Sequence, residues 1–162
     1  MNFQLKSKKN GYKMRYNEDD PSIRILPDIC VLISHTLSRV IELEFLDGFE
    51  ILIPDFVEEI VSVLCEGKLK AGFFNEIEKL QKLEAERKID ILYCSYGVEL
   101  PEDKKKLIET EDDIILEVAV VTNSILFTAD KGLKDKATSI KQPVIYIPPK
   151  FQKGIKELAD NV

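Results

Sequence analysis

A chain of 162 residues, 44% apolar and 32% charged, is long enough to bury one substantial core, and none of its apolar runs approaches the ~20 residues of a membrane span. Its three cysteines, Cys30, Cys65 and Cys94, are odd in number and widely spaced, which argues against a disulfide framework or a zinc site. The net charge of −6 is unevenly spread: residues 1–17 hold Lys6, Lys8, Lys9, Lys13 and Arg15 without an acid, and setting these five positive charges aside leaves −11 on the rest.

The basic start reads as a flexible arm over residues 1–21. It is interleaved with Phe3, Tyr12 and Tyr16, so it is either a solvated terminus or a segment that contacts phosphates and stacks on bases. From Ser22 to Leu26 a short Ile-rich run ends at Pro27-Asp28 and predicts a buried strand stopped by a turn. Val31-Leu-Ile33 leads through a polar stretch into a short helix over Ser38 to Leu46, ended by Asp47-Gly48. Phe49 to Ile53 predicts a second strand, and Val57, Ile60, Val61 and Leu64 give Asp55 to Cys65 helical spacing. Phe73, Ile77, Leu80 and Leu83 predict a long helix over Gly72 to Lys88. A third strand follows at Asp90 to Cys94, then a loop and a charged stretch, Glu102 to Lys106, read as a short helix.

Thr110-Glu-Asp-Asp113 has the spacing of a capping box and predicts the start of a separate helix buried through Ile114, Ile115, Val118 and Val121. Ser124 to Thr128 and Pro143 to Ile147 are the last strands, with a helix over Lys131 to Ala137 between them and a helical tail in residues 151–162. Strands alternating with helices imply an α/β fold with a parallel sheet covered on both faces. Five strands fit the length, in one domain over residues 22–150 between the arm and the tail.

Ligands of such sheets bind beyond the carboxyl ends of the strands, where the strand order reverses. The residues that follow the predicted strands are acidic: Asp28 after the first, Asp55 with Glu58 and Glu59 after the second, Asp130 after the fourth, with Asp112 and Asp113 in the helix feeding the fourth. Gathered at one edge, such carboxylates repel one another unless a cation neutralises them. Oxygen donors without His or Cys point to Mg²⁺ or Mn²⁺ over zinc. The competing explanation is local, since Asp28, Asp112 and Asp130 all suit helix N-caps and first turns. His35, the only histidine, suits a capping or exposed role better than catalysis, and neither a nucleophile elbow nor a phosphate-binding glycine loop is present.

These residues resemble the PIN domain family of metal-dependent nucleases, most closely the amino-terminal PIN domains of archaeal proteins that also carry an ATPase and a KH module. The resemblance runs from about Arg24 to Ile147. It rests on Ile25-Leu-Pro-Asp28 with Val31-Leu-Ile33, Ile53-Pro54 with a downstream Glu-Ile, Gly72-Phe73 opening a long helix, Asp112 with Ala119, and Thr128-Ala-Asp130. It implies a three-layer α/β/α fold with a five-stranded parallel sheet in the order 3-2-1-4-5, and four acids meeting at its carboxyl edge. Carried over position by position, Asp28, Glu59, Asp112 and Asp130 are the catalytic and metal-binding acids. Glu58 is the alternative second acid and Asp113 the weaker alternative to Asp112.

The activity so implied is Mg²⁺- or Mn²⁺-dependent hydrolysis of phosphodiester bonds in single-stranded RNA. Lys68, Lys70, Lys131 and Lys134 are rim cations that either guide the phosphate chain or are simply solvated. The family's hydroxyl pair after the first Asp is here Ile29-Cys30, which implies loss of a hydrogen-bond donor to the first acid and reduced activity. The rival expectation is therefore a catalytically weak PIN-fold module that binds nucleic acid or assembles with partners. A phosphatase of the Asp-x-Asp kind is disfavoured by Cys30. The implied partners are single-stranded RNA, a second copy of the chain, or a protein partner such as an antitoxin, with no membrane and a cytoplasmic setting, as unpaired thiols and no export signal suggest. No ATPase or nucleotide-binding loop follows Val162, so the chain acts alone, with a separate partner, or as part of a longer protein.

Overall fold

The computed structural model describes residues 3–7, 12–14, 23–46, 48–96 and 100–161. Five parallel strands form its centre: β3 (Arg24–Pro27), β4 (Glu50–Pro54), β5 (Asp90–Tyr96), β6 (Ile125–Thr128) and β7 (Val144–Tyr146), in the spatial order β5-β4-β3-β6-β7. Counted among the parallel strands this is the order 3-2-1-4-5, flanked by helices in a three-layer α/β/α arrangement. Ile25, Leu26, Ile51, Leu52 and Leu126 are fully buried, as strands covered on both faces require. At the start of the β3/β4 pair, register partners Arg24 and Glu50 also form a buried ion pair, Nε to Oε2 3.0 Å.

The chain first runs β3, β4, β5 to one side, then crosses back to place β6 and β7 on the other side of β3. The strand order therefore reverses between β3 and β6. The backbone ties these two strand ends together directly, with Asp28 N–H donating to the Phe127 carbonyl at 2.9 Å.

Two strands lie outside the expected five. β1 (Phe3–Ser7) pairs antiparallel with β5, and β2 (Tyr12–Met14) pairs antiparallel with β1, extending the sheet to seven strands. Residues 3–7 and 12–14, within the start read from its charge as a flexible arm, thus form two strands at the sheet's edge.

The helices differ from the sequence reading at three places, each for a local reason. The Asp28 carboxylate accepts the Ile29 N–H at 2.7 Å and caps a short helix, α1 (Ile29–Ile33), over a run to which the sequence reading assigns no element. Its successor α2 (Thr36–Glu42) stops before Leu46 at a left-handed Glu44. The largest difference is α5 (Lys104–Val121), one continuous helix where two had been expected. Asp103 caps it by accepting the Lys105 N–H at 3.2 Å, while the Thr110 hydroxyl, taken as a cap, donates back to the Lys106 carbonyl at 2.9 Å.

Helices α3 (Asp55–Leu64), α4 (Lys68–Ala85), α6 (Lys131–Ser139) and α7 (Pro149–Asp160) correspond to expected elements. In α3 the buried residues Phe56, Val57, Ile60 and Val61 form one stripe, leaving Glu58 and Glu59 exposed. Where α4 passes α1, a Cβ on Gly72 would meet the Ile33 carbonyl oxygen at 3.1 Å, so glycine permits the close approach. No helix among the described residues is long and apolar enough to cross a membrane.

Candidate functional site

The reversal between β3 and β6 leaves a notch at the carboxyl edge of the sheet, and its floor is Asp28. This side chain is 5% exposed and fixed by three donors. Oδ1 accepts from Ile29 N–H at 2.7 Å, and Oδ2 accepts from the Thr128 hydroxyl at 3.0 Å and the Cys30 thiol at 3.2 Å. Burial raises the Asp28 pKa, the three hydrogen bonds oppose it, and the nearby Asp130 charge adds to the rise. The expected loss of a donor at Cys30 is offset in this arrangement. Burial and the Asp28 charge push the thiol up to about 12, so it stays protonated and donates, and Thr128 supplies a second, stronger donor.

Thr128, fully buried at the end of β6, joins the two strand-end acids. Its hydroxyl donates to Asp28 and accepts the Asp130 N–H at 3.0 Å. Asp130 is exposed and caps α6, accepting the Leu133 N–H through Oδ1 at 3.2 Å. The capping explanation therefore describes geometry that Asp28 and Asp130 do adopt. For Asp112 it fails, because that residue lies in the interior of α5, where backbone N–H groups are already used within the helix.

Asp112 and its neighbour Glu111, on α5, lie near enough for the charges of Asp28 and Asp130 to act on them, and are here the opposite wall. Burial raises the Asp112 pKa, the charges of Asp130 and Asp28 add to it, and Lys136 opposes. Burial, then the charges of Asp28, Asp112 and Asp130, push the Glu111 carboxyl up to about 7. Asp28, Glu111, Asp112 and Asp130, drawn from three distant stretches of sequence, thus share one electrostatic field. Asp113 points elsewhere and pairs with Lys136 at 3.2 Å on the surface.

Glu111 is the residue the sequence reading missed. Its signal is periodicity: Leu107, Ile115 and Val118 are buried on α5, and position 111 falls on the same stripe. An acid at a core position of a helix is conspicuous once the helix is known to begin at Lys104. Glu59, by contrast, is exposed on α3, and neither it nor Glu58 is among the charges that act on Asp28, Glu111 or Asp112. Glu58 instead lines a separate cavity of about 180 Å³ with Asp55, Phe73, Phe74 and Tyr93. Of the rim lysines, Lys134 lies 3.5 Å from Asp135 and over the Tyr146 ring, and the cation whose charge reaches the notch is Lys136.

Among the described residues, no three His, Cys, Asp or Glu side chains are gathered tightly enough to coordinate one metal ion as they stand. The donor set nevertheless fits a hard divalent cation in kind: it is all carboxylate, its one neighbouring thiol is protonated, and its members repel one another.

No family model matches the chain, and no curated protein matches it. Among solved structures, the chain is similar to a domain of a functionally unknown protein from Methanocaldococcus jannaschii DSM 2661. The two are 25% identical with a TM-score of 0.62, over 78% of this chain and 91% of that one.

Proposed function

We propose that the chain is a PIN-like, Mg²⁺- or Mn²⁺-dependent ribonuclease that hydrolyses phosphodiester bonds in single-stranded RNA. Asp28, Glu111, Asp112 and Asp130 would hold the ion, with Glu111 taking the place first assigned to Glu59. The observation that carries the reading is the mutual field of these four acids at the strand-order reversal, where open parallel sheets take their ligands. Bound there, a divalent ion supplies neutralisation of the cluster and electrostatic stabilisation of charge building on phosphate oxygens. The chain's own contribution is positioning. The Thr128 hydroxyl and Cys30 thiol fix the Asp28 carboxylate, and the Thr128 bond to Asp130 N–H holds the second strand end in register with it. Glu111, whose carboxyl lies near 7 in the metal-free chain, would give up its proton as the ion binds.

One observation favours a weakly catalytic nucleic-acid-binding or assembly module instead: both Asp28 oxygens already accept hydrogen bonds from the protein. Incubation of a labelled unstructured RNA with Mn²⁺ separates the two. Cleavage by the native chain that falls by at least about a hundredfold, ~2.7 kcal/mol, in Asp28→Asn and in Asp130→Asn is expected for the nuclease. Binding without cleavage identifies the weaker module, and equal cleavage by all three proteins removes the mechanism.

A further inference from the structure

A second site stands apart from the acids, between the α1–α2 junction and the outer face of α4. Here a cavity of about 530 Å³ is lined by His35, Asn75, Glu78, Lys79 and Lys82. Behind it lies Glu76, a carboxylate with no exposed surface, in the middle of α4. Burying an ionisable acid is costly unless its oxygens are used, and both are. Oε2 accepts the Ser38 N–H at 2.9 Å, capping α2, whose N-cap residue His35 makes no side-chain cap of its own. Oε1 faces His35 Nδ1 at 3.2 Å.

This second contact fixes the imidazole. His35 takes a left-handed backbone, φ 60°, where the chain turns from α1 into α2, and its ring leans on Glu76 through Nδ1. The side chain is 23% exposed and lines the cavity, while Nδ1 is engaged by Glu76. A carboxylate behind one nitrogen sets the orientation of the other, the usual device for presenting a histidine to a ligand.

The remaining wall carries two cations, one amide and one carboxylate. Asn75, Lys79 and Lys82 lie on one exposed face of α4, and Glu78 is the single carboxylate among them. On a body with an overall charge of −11, Lys79 and Lys82 place two ammonium groups beside one cavity.

We propose that this cavity binds a phosphoryl group, held by the His35 imidazole, the Lys79 and Lys82 ammonium groups and the Asn75 amide. The group is either that of a small phosphate ester or anhydride, or a phosphate in the backbone of single-stranded RNA. The site requires nothing from the acidic notch, so its failure and the failure of the nuclease reading are separate results.

His35 is the one histidine in the chain, so its ring protons are a single resolved NMR probe. Pyrophosphate and a short unstructured oligoribonucleotide are titrated separately at one fixed pH. Chloride at matched ionic strength is the control. A saturable shift of the His35 signals by either ligand, absent with chloride, is expected, and the ligand that binds more tightly identifies the source of the phosphate. In Lys79→Gln/Lys82→Gln, both positions being exposed, affinity falls at least about tenfold with the fold unchanged by circular dichroism. No saturable shift with either ligand, or undiminished affinity in the double variant, overturns the proposal.

Discussion

The two walls of the acidic notch carry the same kind of side chain under opposite conditions. On the strand side, Asp28 is buried but supported by three donors that oppose its raised pKa. On the helix side, Glu111 and Asp112 are pushed up by burial and like charge, with only Lys136 opposing at Asp112. One wall is a bonded, rigid floor that stabilises the meeting of β3 and β6. The other stores repulsion that a bound cation would release, a pattern expected where function and stability compete.

That contrast is broken most severely at Thr128. In Thr128→Val the Asp28 carboxylate loses its hydroxyl donor in a buried setting, and the Asp130 N–H loses its acceptor in a half-buried one. A loss of about 1–3 kcal/mol in unfolding free energy is expected from chemical denaturation, because the Asp28 oxygen that loses its donor stays buried. Glu111→Leu should act in the other direction. It completes the stripe of Leu107, Ile115 and Val118 and removes one of the four repelling charges, so stability rises by about 0.5–2 kcal/mol while RNA cleavage in Mn²⁺ falls.

A smaller effect is expected from pH. The Glu111 carboxyl lies near 7 in the folded chain against an ordinary value of 4.5, so the folded state holds more protons between these values. Stability from this group is complete below about 4.5 and is lost as pH rises through about 7. The melting temperature of the metal-free chain should therefore fall between pH 5 and pH 8, and the fall should shrink in Glu111→Gln. Raised values at Asp28 and Asp112 act in the same sense. The smallest effect belongs to Asp113→Asn, which breaks only an exposed pair with Lys136. A change below about 0.5 kcal/mol is expected in the same denaturation assay.

The parallel core was legible because its strands are short apolar runs punctuated by Pro and Asp, and a residue that follows such a run is already placed at the carboxyl edge. Asp28 and Asp130 were found in this way. Glu111 was hidden by a local mimic: Thr110 and Asp113 have capping-box spacing, and only the burial of Leu107 shows that the helix begins earlier. The apolar run of α1 is equally compatible with extended chain, and the Asp28 cap decides it. The β1–β2 pair escaped notice because its pairing with β5 joins residues about ninety apart, a contact no local charge pattern announces. For the same reason the union of His35 with Glu76, across forty-one positions, could not be read from His35's polar surroundings.

The claim on which the notch depends is that residues 28, 111, 112 and 130 form one cation site. Calorimetric titration of the native chain with Mn²⁺, alongside Asp28→Asn and Asp112→Asn, addresses it directly. The account predicts a saturable isotherm for the native chain that either substitution weakens by at least about tenfold, ~1.4 kcal/mol. An isotherm unchanged by both substitutions, or no saturable binding by a folded native chain, would contradict it.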